Sequence, residues 1–233
     1  MDMQHPPRLG LMVPINNTTF EGELLQELPA GSSCMTLRIP RGPGLLTPET
    51  LPAYMESALE LAARFAQSDV DVVAYGCTAA GFISGPAGDA RLAEQLKQVT
   101  GKPVVTTARA MVVALQEIGA RDIALVTPYM DSVNDQLKAF LADGGIRVRR
   151  FNSFYAETVD KLGRIQSDEV AQLARETMDK GCDAMFIACA QLPTIDILDG
   201  LRAEFKRPVL SSIQCTTQAA LRLLERRPAQ TPA

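Results

Sequence analysis

The sequence predicts an α/β fold of two pseudo-symmetric lobes, each a parallel four-stranded sheet flanked by helices, with the active site in the interlobe cleft. Three observations predict it. Short apolar runs alternate with longer segments of helical period, the pattern of parallel strands joined by crossover helices. The 233 residues suit two units, each of roughly 100 residues. The halves also repeat: Asp71-Val-Val-Ala-Tyr-Gly-Cys77 shares its frame with Asp183-Ala-Met-Phe-Ile-Ala-Cys189, an aspartate, five strand-like residues and a cysteine.

The first half opens with an apolar strand, Leu9–Pro14, and a helix over Phe20–Leu28. Thr50–Gln67 reads as an amphipathic helix because Leu51, Met55, Leu59, Ala62 and Phe65 fall on one face. Strand Val70–Tyr75 leads to Cys77, helix Asp89–Thr100 is stopped by Gly101, and strand Val104–Thr106 feeds helix Ala108–Ile118. The second half repeats the order with strand Ile123–Thr127 and helix Val133–Asp143 before Gly144. Helix Ser167–Lys180 follows, with Ser167 as N-cap and Gly181 as stop. Strand Ala184–Ala188, helix Ile195–Phe205, strand Val209–Ser211 and helix Thr216–Arg226 complete it, and Pro228–Ala233 reads as a frayed tail. Matching landmarks lie 114 residues apart at Pro14 and Pro128, 112 at the cysteines, and 105 at Pro103 and Pro208. That drift is loop-length variation within a duplicated fold. The first lobe is expected to hold residues 1–107 with 213–233, and the second residues 108–212.

Composition narrows the function. Hydrophobic residues at 46% and charged residues at 21% describe a packed, soluble protein. A net charge of −4 without a basic stripe argues against nucleic acid. No apolar run approaches the roughly 18 residues of a membrane span. Five cysteines, Cys34, Cys77, Cys182, Cys189 and Cys215, with no signal peptide, suggest the reducing cytoplasm. The single histidine, His5, lies in a polar tail, so a histidine triad, a Cys-His dyad or a histidine-ligated metal site is hard to build. No metal and no cofactor are expected, and a homodimer is left open.

Chemistry then falls to the repeated cysteines. Each follows a central strand, where open α/β sheets place ligands, so facing lobes would bring the two thiols together. A helix start after each cysteine would favour thiolate over thiol. Hydroxyls of Thr78, Thr127 and Tyr129 could hold a carboxylate as it takes on enolate character. Two thiols on opposite faces of a planar intermediate can move protons, or one can attack carbon while the other manages the proton. Cys34, Cys182 and Cys215 have no repeat partner and read as packing or surface residues. Asn16 and Asn17 read as turn formers or a helix cap, and Tyr129 could equally be a core aromatic. Arg38 and Arg41 read as solvated loop charges. Gly42-Pro-Gly44 and Gly85-Pro-Ala-Gly88 read as loops without a phosphate-binding lysine.

Five segments together carry a family resemblance: Val13-Pro-Ile-Asn-Asn-Thr-Thr19, Tyr75-Gly-Cys-Thr78, Thr127-Pro-Tyr-Met-Asp-Ser-Val-Asn134, Cys189-Ala-Gln-Leu192 and Pro208-Val-Leu-Ser-Ser212. In this order and spacing the chain, from about Gly10 to Leu224, resembles the aspartate/glutamate racemase superfamily, in its branch of maleate cis-trans isomerase and arylmalonate decarboxylase. The resemblance implies that Cys77 is a nucleophile, present in the isomerases where the decarboxylase has glycine, and that Cys189 is a proton donor. It implies that Asn17, Thr78 and Tyr129 bind a substrate carboxylate, with Ala79, Ala190 and Gln191 beside them. Val159 stands where the isomerases carry a second carboxylate-binding asparagine, as in the decarboxylase. The implied function is cofactor-independent isomerisation of a small carboxylate or dicarboxylate, best maleate to fumarate, with amino or hydroxy acid racemisation a near variant. Alternatives are a malonate decarboxylase using Cys189 and a non-catalytic small-molecule binder.

Overall fold

Strand-forming runs and crossover helices alternate through both halves of the computed structural model, which describes residues 5–42 and 44–225. The first half runs β1 (Arg8–Pro14), α1 (Phe20–Glu27), β2 (Ser33–Ile39), α2 (Leu51–Ala62), β3 (Val72–Tyr75), α3 (Thr78–Ile83), α4 (Gly85–Thr100), β4 (Val104–Thr106) and α5 (Thr107–Glu117). The second runs β5 (Asp122–Thr127), α6 (Asp131–Asp143), β6 (Arg147–Ser153), α7 (Val159–Gly163), α8 (Ser167–Thr177), β7 (Ala184–Ile187), α9 (Ile195–Phe205), β8 (Val209–Ser211) and α10 (Ser212–Glu225).

Each half forms one four-stranded parallel sheet, ordered β2-β1-β3-β4 and β6-β5-β7-β8. The repeat is also one of register: Leu9 pairs with Val72 as Ile123 pairs with Ala184. The central strands β3 and β7 are buried throughout, as strands covered on both faces by helices must be. The repeated aspartates close the opposite ends of the sheets. Asp71 accepts the Arg8 backbone N–H at 3.0 Å, and Asp183 accepts those of Arg121 and Asp122 at 2.9 and 2.8 Å. Helices bind the halves together: α5 packs on α10, and α3 packs on α6.

Several expected elements differ from those observed. The edge strands β2 and β6 were not anticipated, because their sequences, Ser-Cys-Met-Thr-Leu-Arg-Ile and Arg-Val-Arg-Arg-Phe-Asn-Ser, are half-exposed and polar, as edges commonly are. The helix expected over Thr50–Gln67 ends at Ala62 and tightens into a 3₁₀ turn, Ala63–Phe65. That turn drops Phe65 onto β1 at Gly10, where an added Cβ would lie 2.8 Å from its ring. Gly85-Pro-Ala-Gly88 is the first turn of α4 rather than a loop, with proline where a helix start tolerates it. Helix α8 stops at Thr177, three residues short of Lys180, and its N-cap is Gln166, whose N–H donates to the Glu169 carboxylate at 2.8 Å. Gly101 takes the expected left-handed cap at φ 66°, whereas after α6 Gly145, not Gly144, turns the chain, at φ 75°. Helix α10 starts at Ser212, earlier than Thr216, because the Ser211 hydroxyl accepts the Gln214 N–H. Arg226 and the tail Pro228–Ala233 lie outside the described residues.

Among the described residues no helix is long and apolar enough to cross a membrane, and no three metal-ligating side chains cluster. His5 is exposed and lies 3.8 Å from Asp71, at the sheet end opposite the cysteines.

Candidate active site

The carboxyl ends of β3 and β7 meet across a cavity of about 70 Å³, room for a molecule of a few heavy atoms. Its wall includes Asn17, Cys77, Thr78, Ala79, Tyr129, Cys189, Ala190 and Gln191. Thus the eight residues singled out in the sequence, scattered over more than 170 positions, converge on one cavity. The three unmatched cysteines are elsewhere: Cys182 and Cys215 are buried away from it, and Cys34 lies on edge strand β2.

The thiols sit in different backbone settings. Cys77 is the N-cap of α3 in ordinary extended geometry, and the N–H groups of Ala80 and Ala79 favour its thiolate. No helix follows Cys189 directly; a turn intervenes and α9 begins at Ile195. Cys189 instead holds φ at 102°, a value non-glycine residues avoid. Its N–H donates to Ser212 Oγ at 3.0 Å and its carbonyl accepts from Leu192. The expectation that helix starts lower both thiol pKa values is overturned. Burial pushes Cys77 up, and pushes Cys189 up to about 11. Each thiol has backbone donors and a tyrosine hydroxyl on its side, Tyr54 for Cys77 and Tyr129 for Cys189; what separates them is that Cys77 also has the Arg41 cation, whereas Cys189 faces the charge of Cys77. Cys77 is therefore the thiol suited to ionise and Cys189 the one suited to keep its proton.

Two hydroxyls are poised in the cavity. Thr78 Oγ1 and Tyr129 Oη are buried and make no hydrogen bond within the protein, an arrangement that a bound acceptor would satisfy. Phe82 holds the Tyr129 ring edge-on, with centroids 5.5 Å apart. Thr127 is not available: its hydroxyl donates to Asn134 Oδ1 at 2.6 Å, inside a fully buried network.

Asn17 is both cap and strut. Its Oδ1 accepts the N–H groups of Thr19 and Phe20 at 3.1 and 2.9 Å, opening α1, while Nδ2 donates to the Ala190 carbonyl at 2.8 Å. One Nδ2 hydrogen remains for a ligand. The Gln191 amide turns away to Thr18 and Thr19, accepting the Thr18 N–H at 3.1 Å and donating to the Thr18 hydroxyl at 2.9 Å, so its side chain positions the loop.

Arg41 corrects the expectation of a solvated charge, since it lines the cavity wall. Arg38 is engaged too, donating to the Asn17 carbonyl at 2.6 Å and to Glu21. Nothing in the glycine-rich loop around Arg41 marks it apart from surface arginines; only tertiary folding of that loop over Cys77 does. Val159 faces a neighbouring hollow with Asn16 and Thr18.

A family model described as arylmalonate decarboxylase matches residues 39–232. The chain belongs to the arylmalonate decarboxylase family. As a family member it is 28% identical to an arylmalonate decarboxylase from Bordetella bronchiseptica, over 96% of this chain and 92% of that one. It is 29% identical to a maleate isomerase from Geobacillus stearothermophilus, over 93% and 91%. A structure of Nocardia farcinica maleate cis-trans isomerase, a mutant with a covalently bound succinylcysteine intermediate, superposes with a TM-score of 0.86 at 27% identity, covering 94% and 93%. Within the arylmalonate decarboxylase family, then, this chain is similar to members of two activities and carries cysteine at both strand ends.

Proposed function

We propose that this protein is a cofactor-independent isomerase that converts maleate to fumarate, with Cys77 and Cys189 as its catalytic pair. The observation that carries the reading is two thiols in one small cavity beside two buried, unpartnered hydroxyls. The succinylcysteine in the Nocardia relative supports a covalent course. In it the Cys77 thiolate adds to one olefinic carbon, forming a C–S bond, while the electron pair moves toward the far carboxylate. Cys189 protonates the other carbon. The former double bond is now single and rotates; the Cys189 thiolate takes a proton back, the C–S bond breaks and fumarate leaves. Thr78 and Tyr129 donate to the carboxylate that carries the developing charge, Asn17 Nδ2 holds the other, and Arg41 supplies the positive charge that a dianion requires. The protein's free cysteines suit work in the cytoplasm, where thiols stay reduced.

A second reading has its own support. The apolar wall of Leu45, Leu46, Val133 and Leu162 could take an aryl group, and the matching family model is that of the decarboxylase. In that case carbon dioxide leaves first and Cys189 protonates the enediolate.

Incubation with maleate, followed by proton NMR for the fumarate vinyl signal, decides between them. Fumarate should form, and Cys77→Ala and Cys189→Ala should each lower kcat by about 10³-fold or more. Carbon dioxide from phenylmalonate without fumarate from maleate would move the assignment to decarboxylation. Deuterium exchange into chiral α-substituted acids with neither product would move it to racemisation.

A further inference from the structure

Among the residues that share a hydrophobic cluster with Cys77 but do not line the cavity is a phenol that the proposed chemistry does not use. Tyr54 sits in α2, only 4% exposed, in the same hydrophobic cluster as Cys77. Its hydroxyl is buried and makes no regular hydrogen bond within the protein. An unpaired buried hydroxyl costs stability, so its retention needs a reason. Helix α2 packs on α3, whose N-cap is Cys77, and the buried phenol favours the charged form of that thiol. The second thiol has the same companion: Tyr129, equally buried and without a hydrogen bond, stands beside Cys189 and favours its charged form. The two phenols come from unrelated places, helix α2 and the β5–α6 turn, so the pairing is not a simple product of the repeat.

We propose that Tyr54 is the positioning residue for Cys77, its hydroxyl donating to the thiolate, as Tyr129 can donate to Cys189 until a substrate carboxylate takes its hydroxyl. Burial holds the Tyr54 pKa far above the ordinary tyrosine value, so the phenol keeps its proton and acts only as a donor. Donation to an anion is stronger than donation to a neutral thiol, so the bond forms as Cys77 ionises and aims the sulfur lone pair. The other groups around this pair are fixed in kind: Arg41 favours the thiolate, while Tyr75, Tyr129 and Cys189 supply no positive charge. Removing one hydroxyl therefore reads out Tyr54 alone.

This inference rests on Cys77 being the nucleophile, yet its test does not need turnover. Wild type, Tyr54→Phe and Tyr129→Phe are treated with iodoacetamide across a pH series, and modification of each cysteine is timed by peptide mass spectrometry. Tyr54→Phe should displace the Cys77 rate–pH profile upward by about one pH unit, a roughly tenfold loss of thiolate at any pH below the midpoint, and leave Cys189 in place. Tyr129→Phe should do the converse. Melting temperatures of the variants show that the fold is retained; Tyr54→Met serves if the phenylalanine variant is destabilised. An unchanged Cys77 profile in a folded variant, or equal displacement at both cysteines, overturns the proposal. Activity of Cys77→Ser on maleate separately judges the nucleophile: if it survives, the catalytic reading falls while the pairing stands or falls by the profiles alone.

Discussion

Cys189 combines a buried thiol with a backbone at φ 102°, and the two features have one cause. To point its sulfur into the cavity from the end of β7, the chain turns through a conformation that side chains with a Cβ avoid, and Ser212, Leu192 and Asn17 hold the surrounding turn. Removing the Cβ should relieve the strain. Cys189→Gly is expected to be more stable than Cys189→Ala by about 1 kcal/mol, measured as a difference in urea midpoints, although both lose turnover. If alanine is the more stable, the turn is not strained. Arg41 makes the second argument at this scale. Placed on the cavity wall, its guanidinium meets a dianionic substrate, so Arg41→Met should raise KM for maleate roughly tenfold. Arg41→Lys keeps the charge but loses the fork and should fall between. Identical KM values in initial-rate measurements would place the arginine outside substrate binding.

Helix α1 shows how one short element serves fold and site together. The Asn17 side chain accepts the Thr19 and Phe20 N–H groups where it begins, and the same asparagine also reaches the Ala190 carbonyl beside Cys189. Asn17→Asp keeps an oxygen to cap the helix but sets a carboxylate against that carbonyl. It should cost about 1–2 kcal/mol and at least tenfold in kcat/KM, read by thermal melts and initial rates. A variant of wild-type activity would leave Asn17 as a cap alone. At this scale the central strands were legible because β1, β3, β5 and β7 are apolar runs, and the repeated cysteines marked where those runs end. The edges β2 and β6 were not, since one exposed side leaves too little apolar pattern to read. Nor was α7, which at 5 residues is too short to show a helical period, while α3, of 6, was legible only as a helix start after Cys77 and not in its extent. The cavity residues were legible through matching motifs, whereas Arg41 and Tyr54 gained their places only by tertiary packing.

Across the whole molecule the two sheets are joined by buried polar ties on the α1 side, and these carry a pH dependence. Glu23 in α1 accepts the Thr194 hydroxyl at 2.8 Å and the Thr194 N–H, reaching from one half to the other. One turn later Glu27 meets α10 at Gln214, with one carboxylate oxygen buried and unpartnered. Burial raises both carboxyl groups, Glu27 from 4.5 to about 7, with Gln214 and Arg202 offsetting part of the cost and Glu23 adding to it. A carboxyl group whose pKa is higher folded than unfolded holds its proton longer in the folded state. Its contribution is therefore complete below about pH 4.5, declines as pH rises to about 7, and is absent above that. Glu27→Gln keeps the shape and the neutral hydrogen bonding, so it should match wild type near pH 4.5 and exceed it at pH 8. Allowing for partial exposure, the gain is ~2 kcal/mol, or about 4–8 °C in melting temperature. Glu23 titrates in the same direction and leaves a residual slope in the variant. Melts at pH 4.5, 6, 7 and 8 give the comparison; parallel curves for the two proteins would mean that Glu27 is already ionised in the fold, and that the halves are joined there by charge rather than by a shared proton.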